Sequence, residues 1–216
     1  MNPNHVLSLP QAEEFSGQFV GQTLLITAWL TTKTQQRDRD YLRRVADQCC
    51  QSLLGEYAPQ CDREGELFAS PIFAYSKPTQ RDKYPHVLVW LFRDEKADRQ
   101  YNYYQQELIA LFLYRSKIIK AFQNSRLVYD CLDRAYRNLE NSLDRLQTDL
   151  NCPHDVVTND DDLEKFKTQL KTFATESLPY TRFLRKMEDF HNTIEINIHN
   201  YNQIIDQICA NIEYDG

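Results

Sequence analysis

Between Glu66 and Asp215 the chain has no glycine. Only 5 glycines occur in 216 residues: Gly17, Gly21, Gly55, Gly65 and Gly216. Phosphate-binding loops, dinucleotide fingerprints and nucleophile elbows all need glycine, because backbone there touches a ligand or takes positive φ. None of them can be written in this sequence. Such a stretch begins with two strands and then reads as long helix, punctuated by Pro153 and Pro179 alone.

The hydrophobic pattern agrees. A helix starting at Asp94 or Asp98 meets no glycine or proline before Pro153. At ~1.5 Å rise per residue it would be roughly 80 Å long. Its second half carries a stripe of Phe122, Ser125, Tyr129, Leu132, Tyr136, Leu139, Leu143, Leu146 and Leu150, in alternating steps of three and four. That spacing is a heptad seam. Residues 151–162 break it, with Pro153 as the stop and Asp160 or Asp161 as the next N-cap. A second seam then runs through Leu163, Phe166, Leu170, Phe173, Ser177, Tyr180, Leu184, Met187, His191, Ile194, Ile198, Tyr201, Ile205, Ile208 and Ile212. Pro179 falls inside this register. Either Ser177 caps a new helix or one helix is kinked, and the unbroken register favours the kinked helix. Two such helices joined by a short loop predict an antiparallel hairpin.

The region before the helices reads differently. Residues 1–21 form an arm, with a short helix near Gln11–Phe15. Thr23–Leu30 reads as a strand. Residues 37–54 show helical spacing and stop at Gly55. The stretch from Tyr57 to Gly65 reads as a loop. Leu67–Tyr75 reads as a strand in which Pro71 suggests an edge or a bulge. Lys77–Pro85 is a turn, and His86–Phe92 is a continuous apolar run suited to a central strand. The expectation is an α+β, mostly helical protein. A small β-α-β-β head of about three strands (22–96) precedes a long helical hairpin (97–212) and a tail (213–216).

Composition narrows the function classes. Net charge is −6, so a basic footprint for nucleic acid is missing and no nucleic-acid partner is expected. No apolar run approaches the ~18 residues a membrane helix requires. The first residues, MNPNHVLSLPQAEEF, show neither the basic region nor the apolar core of a signal peptide. The six cysteines, Cys49, Cys50, Cys61, Cys131, Cys152 and Cys209, contain no C-x-x-C pair. Reduced thiols and a cytoplasmic setting, or the inner face of a membrane, are expected.

Candidate sites are sparse. Basic residues cluster at Lys33, Arg37, Arg39, Arg43 and Arg44, with Arg81 and Lys83 in the later turn. Tyr101, beside Tyr103 and Tyr104, could stack a base next to an anion held there. A solvated face interleaved with Asp38, Asp40 and Asp47 explains the same charges. His191, Glu195 and His199 share a helical face, but metal binding would need ligands from a second helix. The run Asp160-Asp161-Asp162 suits capping better than a cation. No serine, cysteine or threonine has a local base, so no catalytic residue, metal or cofactor is assigned.

One stretch resembles a known family. HVLVWLFRDEKADRQYNYYQQELIALFLYRSKIIKAFQNSR, with Tyr114-Arg115-Ser116-Lys117-Ile118 at its centre, and TIEINIHNY at 193–201 resemble a family of uncharacterised bacterial proteins. The layout is also similar to the cytoplasmic part of CorA-type magnesium channels, although no Gly-Met-Asn signature is present. The resemblance implies an α/β head on long helices, with membrane segments further on. Together these readings predict a non-enzymatic sensing or assembly module. Its helices, through Leu132, Leu139, Leu143, Leu146, Leu150, Leu184, His191, Ile194, Ile198 and Ile205, would mediate self-association. They would also couple the head to a membrane-associated partner. A nucleotide- or anion-binding regulatory domain is the alternative.

Overall fold

The computed structural model describes residues 21–31, 38–76, 86–151 and 160–214. The arm, Lys33, Arg37, Arg81 and Pro153 lie outside the described residues, as does the expected helix near Gln11–Phe15. The fold is α+β and mostly helical, with a small mixed sheet followed by long helices.

Strand β1 (Thr23–Trp29) is followed by helix α1 (Arg39–Leu54). Asp38 caps α1 by accepting the Tyr41 N–H at 2.7 Å. Gly55, at φ 57, ends it and donates its N–H to the Gln51 carbonyl. Three strands then follow: β2 (Cys61–Leu67), β3 (Ser70–Tyr75) and β4 (His86–Phe92). The sheet order is β1-β4-β3-β2. β4 pairs parallel with β1 and antiparallel with β3, so its unbroken apolar run is covered on both sides, as the sequence requires.

Four strands replace the expected three. The extra one, β2, reads CDREGEL, a charged stretch with the composition of a loop. It is an edge strand, where charge is tolerated and discourages pairing with other chains. The stretch expected as one strand, Leu67–Tyr75, is bent by a two-residue turn at Phe68 and Ala69. Pro71 lies on an inner strand, not an edge, but pairing of β3 with β4 begins only at Ile72.

Two cores flank the sheet. On one face, Leu42, Ala46, Cys50 and Leu54 of α1 pack on Phe73, Tyr75, Val87, Val89 and Leu91. On the other, Trp90 and Phe92 meet Ala97 of helix α2 (Glu95–Tyr103), and Leu108 and Leu111 of helix α3 (Gln105–Asn151). Ile208 of helix α4 (Asp160–Tyr214) completes that second core.

The helix expected to start near Asp94 does so. Asp94 accepts the Ala97 N–H at 3.0 Å. It is interrupted at Tyr104, whose ring is buried and stacks on Phe68 at 5.5 Å. The last helix is unbroken through Pro179, and Asp160, Asp161 and Asp162 occupy its first turn. The chain divides into two compact units, one running to Lys117 and resuming at His199, the other Ile118–Ile198. The division therefore falls inside the helices and not at residue 96.

Candidate interaction surface

The second compact unit is built from α3 and α4 alone. Its cross-helix partners run in opposite order. Tyr136 lies against Tyr180 with ring centroids 6.4 Å apart. The Ser142 hydroxyl donates to Glu176. A groove lined by Asn124, Val128, Lys186 and Phe190 lies further along. Rising numbers on α3 meet falling numbers on α4, which makes the hairpin antiparallel.

Burial shows which columns of each helix face inward. On α3 these are Ser125, Leu132, Leu139 and Leu146, together with Ala121, Val128, Ala135 and Ser142. On α4 they are Phe166, Phe173, Tyr180, Met187 and Ile194, together with Gln169, Glu176, Phe183, Phe190 and Asn197. Each set still alternates steps of three and four. Only one column of each expected seam is therefore inward. The other column of each seam turns outward: Phe122, Tyr129, Tyr136 and Leu143 on α3, and Leu163, Leu170, Leu184, His191 and Ile198 on α4. Leu132, Leu139, Leu146 and Ile194 hold their expected inward place. Ile205 packs against the head's second core instead. The side chain of Leu150 lies outside the described set.

The reason lies in the width of the stripe. Each helix carries three adjacent columns that can pair in heptads, although the third column of α4 mixes Phe183 and Phe190 with Gln169, Glu176 and Asn197. Periodicity cannot say which pair faces the partner. The inward column of α3 that was missed is small, with Ala121, Ala135 and Ser142. A reading weighted by side-chain size selects the aromatic column beside it.

The two outward columns lie on the same side of the hairpin. Antiparallel helices packed through equivalent columns are related by a local two-fold, which keeps equivalent flanks together. The Tyr136–Tyr180 contact marks this side. The Ser142–Glu176 bond and the groove lined by Asn124, Leu127, Val128, Lys186, Asp189 and Phe190 mark the opposite side, where polar and apolar residues mix. The apolar residues of the flank are exposed by between 43% (Ile198) and 57% (Phe122). With roughly 200 Å² for each large side chain, eight of them at about half exposure present roughly 800 Å². That is the share one partner contributes to a standard interface. Charges border the flank: Arg126 sits 5.7 Å from the Tyr129 ring centre, and the Tyr136 hydroxyl reaches Glu140 at 3.5 Å.

The other candidates do not assemble. Arg43 and Arg44 are exposed on α1, with Arg44 over the Tyr41 ring at 6.0 Å. Tyr101 belongs to the opposite face of the sheet, where it meets Trp90 edge-on at 5.8 Å. The structure does not bring the arginines of α1 and this tyrosine together. Of its neighbours, Tyr104 is buried and Tyr103 is exposed. His191 pairs with Glu195 at 3.3 Å on the exposed surface. Among the described residues there is no group of three or more His, Cys, Asp or Glu able to hold a metal ion. Nor, among them, is any helix long and apolar enough to cross a membrane. Cys49, Cys50, Cys61, Cys131 and Cys209 are free thiols.

No family model, curated protein or solved structure matches the chain.

Proposed function

We propose that this chain is a non-enzymatic assembly module, in which two copies join along the apolar flanks of their hairpins. The observation that carries this is the half-exposed double column of Phe122, Tyr129, Tyr136, Leu143, Leu163, Leu170, Leu184 and Ile198. Two helices bury only the one seam between them, and most inward residues of this unit remain only half-buried. A second hairpin supplies the missing layer and turns two helices into four. A second copy fits because none of these eight residues carries charge, so like meets like without repulsion. Burying each further Leu or Ile stabilises by ~1.5–3 kcal/mol. The same two helices enter the second core of the head through Leu108, Leu111 and Ile208. In this reading the shared helices carry the state of hairpin assembly to the head. A membrane-associated partner for the head would extend this reading.

Light scattering and sedimentation over a wide concentration range test it. The wild-type chain should associate. Leu143→Glu combined with Leu184→Glu should lower the assembled mass without loss of helicity, because both side chains are already exposed in the single chain. Asn138→Glu, at an exposed position off the apolar flank, should not change it. A chain that stays monomeric at high concentration would sink the proposal, as would a double variant with unchanged mass.

A further inference from the structure

The two edges of the sheet are unlike. The β2 edge carries Asp62, Arg63, Glu64 and Glu66, has a register irregularity between Cys61 and Arg63, and is tied to α1 by an Arg39–Glu64 ion pair of 3.1 Å. Charge and bulging are the usual means of closing an edge to other strands. The β1 edge has neither. Its sequence is TLLITAW, it pairs with β4 without a shift, and no described strand lies on its other side.

The main-chain groups on the open side can be identified. The Leu30 N–H donates to the Phe92 carbonyl at 2.9 Å, and the Gln22 carbonyl accepts from the His86 N–H at 3.4 Å. Even-numbered residues of this strand therefore point their main-chain groups toward β4. By alternation, Thr23, Leu25, Thr27 and Trp29 direct theirs outward. Thr27 and Trp29 are also exposed as side chains.

We infer that β1 pairs with the β1 strand of a second copy, antiparallel, about a two-fold axis at Ile26. In that register Thr23 lies opposite Trp29 and Leu25 opposite Thr27, and every outward N–H and C=O on both strands finds a partner. Trp29 beside Thr23 is a favourable aromatic–β-branched pair, and no charge faces a like charge. A second copy of this strand suits the edge because TLLITAW carries no charge and the two-fold register sets each Trp29 beside a Thr23. The sheets of two copies become one continuous sheet. This contact is separate from the hairpin flank and does not depend on it.

The test uses the full chain carrying Leu143→Glu and Leu184→Glu, so that hairpin association is removed. Residue-resolved amide exchange is followed as concentration rises. The Leu25, Thr27 and Trp29 amides should slow at least tenfold on association, while Ile26 and Ala28 stay protected throughout. Thr27→Pro removes only an outward N–H and should abolish both the slowing and the residual association. Thr27→Lys should weaken it at least tenfold and guards against misfolding of the proline variant. Fast exchange of the outward amides at every concentration would overturn the inference. Protection independent of concentration would also overturn it, by assigning the edge to the chain's own residues 1–20. If the double variant sediments like wild type, the hairpin proposal fails, while β1 is still judged by the Thr27 variants.

Discussion

Phe68 and Ala69 turn the chain between β2 and β3 at φ 50 and 54. A left-handed conformation costs an L-residue roughly 1–2 kcal/mol, and such turns are normally made with Asn-Gly or Gly-Gly. This one lies in the glycine-free stretch, which is why the turn was invisible in the sequence. Phe68 is held by its stacking on Tyr104 and its contact with Trp90 at 5.6 Å. Ala69 is exposed and has no such compensation. Ala69→Gly should therefore raise stability by about 1 kcal/mol, read as a higher midpoint in chemical denaturation. A lower midpoint would show that the turn is not strained. A second residue-scale effect is set by pH. Burial, then Asp47, Cys49 and Cys61, push the Cys50 thiol from 9.0 up to about 11. Burial first, then its bond to Asp47 at 2.8 Å, raises the Tyr75 hydroxyl above 10.0. Both groups are favoured neutral in the fold. Their stabilisation is complete below pH 9 and is lost as pH rises through the alkaline range. The melting temperature should fall above about pH 9, and a rise there would contradict these environments.

At the scale of elements, Pro179 is the sharpest anomaly. It sits inside the continuous helix α4, where it removes one backbone donor, and it is exposed. Water can reach the carbonyl left without a partner, which makes the residue tolerable but not favourable. Pro179→Ala should stabilise the protein by up to ~3 kcal/mol, measured by thermal unfolding. Destabilisation would mean that the proline has a structural role in the hairpin. Elements were legible where one physical signal dominated. The apolar run of β4 declared a strand covered on both faces, and Tyr41, Leu42, Val45, Ala46, Cys49, Leu53 and Leu54 declared an apolar helical face, of which Leu42, Ala46 and Leu54 are buried together with Cys50. Strand β2 was hidden because edge strands are selected for charge, which composition shares with loops. The hairpin was legible as a hairpin. Its inward face was not, since Phe122 and Ala121 continue equally good heptads, and only the packed partner decides between them. The basic candidates failed for a different reason. Arg43 and Tyr101 are separated by the sheet, and sequence spacing does not report which face of a sheet a helix covers.

For the whole molecule, the important feature is that one compact unit is discontinuous. It ends at Lys117, resumes at His199, and draws Ile208 into the core beneath Trp90 and Phe92. A chain truncated after Ile198 should leave those rings only partly covered, by Ala97, Leu108 and Leu111. It should bind a hydrophobic dye such as ANS and lose its cooperative melt. A truncated chain that melts sharply without dye binding would show that α4 is dispensable to the head. The hairpin surface and the β1 edge proposed here are each two-fold, and two different two-fold contacts on one chain allow either a closed ring or open growth.

The same discontinuity sets an order of events during synthesis. A ribosome releases β1, α1 and the rest of the sheet early, at ~5–20 residues per second, but Ile208 emerges only after the entire hairpin has been made. Until then the nascent sheet has one face packed by α1, while the other, with Trp90, Phe92 and Tyr104, is covered only by α2 and the start of α3 and lacks Tyr201, Ile204, Ile205 and Ile208. For several seconds of every round of translation, a chaperone has an aromatic surface to hold that the finished protein no longer shows.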